Sequence, residues 1–160
     1  MTTGAYKNGV LAFDSLITCG NSRSGHIIKG IKTERHLAMA AGDIEHIQDF
    51  LNWVKGGCKK RKLKASEDMN DPSFEGFTVN RRGVITVYGV NGVGVRVTPI
   101  GGCFAVGSGG SYAMGAMLAG KSAMDAVRVA IRCDSGSGGA VRFVTFSDNE
   151  KGSTAGDTGL

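Results

Sequence analysis

Met1-Thr2-Thr3-Gly4-Ala5-Tyr6-Lys7-Asn8-Gly9-Val10-Leu11-Ala12-Phe13-Asp14-Ser15 opens the chain and decides how the rest is read. Asn8-Gly9 lies between two β-rich runs, and a type I′ turn needs positive φ at both of its central residues. A two-residue loop makes Lys7 face Val10, and counting outward sets Thr3 opposite Asp14. A carboxylate then stands beside the N-terminus at cross-strand distance. Methionine before a small residue is ordinarily trimmed, which predicts a free α-amine on Thr2. A threonine with a free amine holds a nucleophile and a base in one residue. On these residues alone an ordinary N-terminal strand is the plainer account.

The chain has 160 residues, one domain's worth, of which 41% are hydrophobic and 21% charged. Its 26 glycines are more than twice the usual share of about 7% and follow no period. They therefore mark turns and close backbone approaches rather than a repeat. Cys19, Cys58, Cys103 and Cys133 are scattered and make no C-x-x-C pair, so neither zinc nor a disulfide framework is indicated. No signal peptide and no apolar run of membrane length is recognisable. A soluble, cytoplasmic protein with reduced thiols is expected.

After the first hairpin, residues 19 to 25 read as turn chemistry. Strands are predicted over His26–Lys32 and Leu37–Ala41, with a turn at Thr33 to His36. Asp43 is a fitting N-cap for a helix in which Ile44, Ile47, Leu51 and Val54 recur at helical spacing. Gly56-Gly57 ends that helix. Lys55 to Ser73 turns abruptly charged, with Lys59, Lys60, Arg61, Lys62 and Lys64 ahead of Glu67, Asp68 and Asp71. No aromatics are interleaved for base stacking, so a solvated loop is favoured over a nucleic-acid grip. Residues 74 to 106 alternate like an antiparallel meander. Two helices follow, the second capped by Ser122 and Asp125 and running to about Cys133. A last strand over Ala140–Ser147 precedes a polar tail. One α+β layered domain over residues 1–148 and a flexible tail over 149–160 are predicted.

Three further motifs join the hairpin: Ala41-Gly42-Asp43 where a strand meets a helix, Gly107-Ser108-Gly109-Gly110, and Asp134-Ser135-Gly136-Ser137-Gly138-Gly139. Singly each is a common turn. In this order, with the Thr-Thr start, the Asp14 hairpin and a lysine-bearing strand, they resemble proteasome β-type subunits over roughly residues 2 to 146. The likeness extends to bacterial proteasome-like peptidases, and within them to short phage and prophage homologues. The resemblance implies an N-terminal nucleophile hydrolase: two antiparallel sheets between helix layers, an αββα sandwich. It implies threonine-type peptidase activity, with Thr2 as nucleophile and its own amine as base. By similarity Lys29 lies near the hydroxyl, Asp14 holds Lys29, and the Gly42 amide receives the oxyanion. Ser108, Asp134 and Ser137 hold the amine.

The lysine is ambiguous, because Gly30 follows Lys29 where the family carries an aliphatic residue, and Lys32 competes. Lys29 is chosen because it lies thirteen residues before Gly42, close to the separation that the family resemblance implies. The same correspondence implies a substrate pocket of Ile27, Ala40 and Ile44, apolar and deep over Ala40. Peptide hydrolysis of this kind needs no cofactor, and a structural cation is left open. The implied partners are peptide or unfolded protein and further copies of the chain in a ring. An ATPase unfoldase is left open, and neither membrane nor nucleic acid is expected. The alternatives are a catalytically silent self-assembling scaffold and an amidohydrolase acting on a small amide.

Overall fold

A computed structural model describes residues 1–59, 74–89 and 92–147. The elements run β1 (Gly4–Lys7), β2 (Val10–Phe13), β3 (Leu16–Cys19), β4 (Ser22–His26), β5 (Gly30–Lys32), β6 (His36–Ala41), α1 (Ile44–Lys55), β7 (Glu75–Asn80), β8 (Ile85–Tyr88), β9 (Gly94–Val97), β10 (Cys103–Val106), α2 (Gly110–Leu118), α3 (Ala123–Cys133) and β11 (Arg142–Thr145). The first hairpin has the predicted register, with Lys7 facing Val10 and Gly4 facing Phe13. Asn8 and Gly9 sit at φ 51° and 81°, as a I′ turn requires.

The hairpin is the centre of a four-stranded sheet ordered β10-β1-β2-β11, and β5 to β9 form a second, five-stranded sheet in chain order. Strand parity sorts the side chains into three apolar groups. Ala5 and Ala12 point one way, against Ala113 and Met117 of α2 and Ala126, Val127 and Ala130 of α3. Small strand residues let those two helices come close. Tyr6, Leu11 and Phe13 point the other way and meet Leu37, Met39, Phe77, Val79 and Ile85 of the second sheet. Ala38 and Ala40, of opposite parity on β6, face Ile47, Phe50, Leu51 and Val54 of α1. The helices thus lie on the outer faces of the two sheets.

The structure departs from the sequence reading between residues 16 and 32. β3 and β4 form a separate two-stranded ribbon where turn chemistry was expected, the turn itself being confined to Gly20-Asn21. The predicted strand from His26 to Lys32 is broken: His26 ends β4, and only Gly30–Lys32 pairs with β6. Polar alternation in a mostly exposed ribbon gives no apolar face to read. The basic run from Lys60 and the tail from residue 149 lie outside the described residues. Among the described residues no helix is long and apolar enough to cross a membrane.

Candidate active site at the N-terminal threonine

Thr2 precedes β1 and is almost wholly buried, although Met1 before it is exposed. Its amide donates to Ser108 Oγ at 3.3 Å, and its hydroxyl donates to the Met1 carbonyl oxygen at 2.6 Å. Lys29 Nζ reaches the same Met1 oxygen at 3.4 Å. The ammonium and the threonine hydroxyl therefore converge on one carbonyl.

Lys29 lies just before β5, and its carbonyl accepts from Ala40 N at 3.1 Å, which ties it to β6. It is 2% exposed, whereas Lys32 points to solvent. Gly30, the residue that made the lysine ambiguous, has a steric reason: a Cβ there would lie 2.4 Å from the Phe13 ring. Lys29 Nζ pairs with Asp14 Oδ1 at 2.9 Å. Asp14 is fully buried and takes two further donors, Thr3 N on Oδ1 and Gly138 N on Oδ2, both at 3.0 Å. A buried carboxylate with that many donors is held rigidly in place. Burial pushes the Lys29 pKa below its usual 10.5, opposed by the charge and hydrogen bond of Asp14 and by the charge of Asp134.

A second network starts at Asp134, directly after α3. Ser108 Oγ donates to Asp134 Oδ2 at 2.7 Å, Ser137 Oγ donates to the same oxygen at 2.5 Å, and Gly136 N reaches Oδ1 at 3.3 Å. Burial alone would raise the Asp134 pKa; the hydrogen bonds of Ser137, Ser108 and Gly136 outweigh it and hold the carboxyl below 3.8. Since Ser137 gives its proton to Asp134, the 2.6 Å contact between the Thr3 and Ser137 hydroxyls has Thr3 as donor. Ser108 in turn accepts from Thr2 N, so an anion is linked to the Thr2 nitrogen through one hydroxyl.

The chain approaches itself closely here. Gly107 has φ 85°, and a Cβ on it would stand 2.1 Å from the Thr2 carbonyl oxygen. Thr2, Ala41, Gly42, Asp43, Glu75, Gly107 and Ser108 line a cleft of about 390 Å³ together with Met1. Thr2, Asp14, Lys29, Ser108, Asp134 and Ser137 are thus joined by hydrogen bonds, and Gly42 lines the cleft beside Thr2. The three residues expected to form the substrate pocket do not line it. Ala40 is fully buried in the apolar group that holds Phe50 and Phe74; Ile27 is half-buried and Ile44 exposed. Sequence reasoning gave no role to Thr3, Gly138 or Glu75. The first two sat inside motifs already quoted. Glu75 reaches the cleft through its pairing with Ala41, far from it in sequence, and it carried no signal. Among the described residues no group of side chains could hold a metal ion.

The fold that carries this arrangement is proteasome-like. Thiobacillus denitrificans BPH in complex with epoxomicin has 19% identity and a TM-score of 0.61, over 91% of this chain and 98% of that one. A second structure of Thiobacillus denitrificans BPH has 19% identity and a TM-score of 0.60, over 92% and 99%. No protein-family model matches the sequence, and a search of curated proteins finds no match.

Proposed function

We propose that this chain is an N-terminal threonine peptidase of the αββα hydrolase architecture, working as an oligomer on peptide or unfolded protein. The observation that carries the reading is the convergence of the Thr2 hydroxyl and Lys29 Nζ on one carbonyl oxygen, with Thr2 N bonded to Ser108. The helix layers outside two apposed sheets and the epoxomicin-bound structural neighbour support it.

Loss of Met1 frees the Thr2 amine in this scheme. An α-amine titrates at about 7.7–8.0, so a useful fraction is neutral near pH 7. Thr2 Oγ attacks the substrate carbonyl carbon while the amine takes its proton. The positive charge of Lys29, steadied by Asp14, favours the developing alkoxide. The Gly42 amide stabilises the tetrahedral oxyanion. The amine then passes its proton to the leaving nitrogen, the C–N bond breaks, and water hydrolyses the resulting ester. Ser108, with Asp134 behind it, keeps the amine aimed.

Thr2→Ala should abolish hydrolysis of fluorogenic peptides, and Thr2→Ser should keep part of it. Full activity in Thr2→Ala would remove Thr2 from the chemistry.

A further inference from the structure

We infer that the cleft beside Thr2 selects substrates bearing a cationic side chain, lysine or arginine, with Glu75 and Asp43 as the specificity-determining residues. The inference rests on the peptidase reading for what is cut, but its electrostatic argument concerns binding alone. Two of the eight residues lining the cleft are acidic, and none is Lys, Arg or His. Glu75 begins β7 opposite Ala41, next to the Gly42 turn. One of its oxygens accepts from Gly107 N at 3.2 Å, which fixes the carboxylate at the mouth of the cleft and leaves its other oxygen for a donor.

Asp43 has the same availability for a different reason. It is the N-cap of α1, a position where an aspartate usually accepts from the first-turn amides, yet its side chain makes no capping bond. Among the described residues the salt bridges are Lys29–Asp14 and Arg128–Asp125, so no described cation neutralises either cleft carboxylate. Ile27, Ala40 and Ile44 do not line this cleft. Once Met1 is lost, a neutral apolar side chain finds two carboxylates, two hydroxyls, Ala41 and glycine backbone here, and an acidic one is repelled. Both carboxylates are solvent-facing, so each pairing is worth little by itself, and together they give roughly a tenfold preference that salt erodes.

The test uses binding, so that it does not depend on turnover. Tetrapeptide amides differing only at one residue (lysine, arginine, norleucine or glutamate) are titrated against the Thr2→Ala protein at low and high salt. Lysine and arginine peptides are expected to bind about tenfold tighter than the norleucine peptide, with the advantage largely lost at high salt. Glu75→Gln keeps an acceptor for Gly107 N and Asp43→Asn keeps an N-cap, so the double variant removes charge while preserving local structure. In it the lysine advantage should disappear. Equal affinities, a norleucine preference, no binding of any peptide, or a preference that survives the double variant would each overturn the inference. Failure of the peptidase reading shows separately, as hydrolysis that does not depend on Thr2.

Discussion

At Lys29 two physical effects oppose each other. Burial makes its charge costly, while Asp14 at 2.9 Å makes that charge worth keeping. Breaking such a pair leaves an uncompensated buried carboxylate, which costs about 3–5 kcal/mol. Lys29→Ala should therefore lower both stability and peptide hydrolysis, the latter by about a hundredfold or more. Lys32→Ala, altering an exposed side chain three residues on, should change the rate little. Steady-state rates of the two variants decide the matter, and the reverse order would move the site by one register. The lysine could be chosen from the spacing to Gly42, but the reason Gly30 is tolerated could not. It depends on Phe13, which reaches that backbone from the other sheet.

Among the elements, the strand-to-helix turn at Gly107 sets the geometry of Thr2. With φ at 85° and the Thr2 carbonyl 2.1 Å from an added Cβ, Gly107→Ala must shift either the turn or Thr2. Strain alone costs about 1–2 kcal/mol, and a small displacement at a reacting group costs much more in rate. Gly115→Ala in α2 meets nothing within 4 Å and should be neutral or slightly stabilising. Denaturant melts and peptide rates of the pair test this, and a Gly107→Ala protein with wild-type behaviour contradicts it. The hairpin, β6, α1 and the capped α3 were legible because turn residues and apolar period agree there. The β3–β4 ribbon was not, since its residues are largely solvent-facing and polar. The lining of the cleft was not legible either: spacing to Gly42 pointed to Ile27, Ala40 and Ile44, whereas Glu75 comes to the cleft through its pairing with Ala41.

For the molecule as a whole, the proposed assembly is supported by large apolar side chains left in solvent, among them Val95, Ile100 and Leu118 at 59%, 66% and 53% exposure. Gly101 lies close to Leu118, which brings the last two into one neighbourhood. Light scattering on the purified protein should give a multimer, and Ile100→Asp with Leu118→Asp should reduce it toward a monomer. A wild-type protein that is monomeric at working concentration contradicts the oligomer. The order of the motifs and, by resemblance, the grouping of Ser108, Asp134 and Ser137 at the Thr2 nitrogen were readable from the sequence, but that Asp134 reaches Thr2 through Ser108 was visible only in three dimensions. The central claim is that a free N-terminal Thr2 is the nucleophile, and the intact mass of the protein with and without a covalent inhibitor directed at N-terminal threonine tests it most directly. The account predicts a chain lacking Met1 that gains one inhibitor mass, mapped to the peptide beginning at Thr2 and absent in Thr2→Ala. A chain labelled elsewhere, or one lacking Met1 that takes no label, would contradict it.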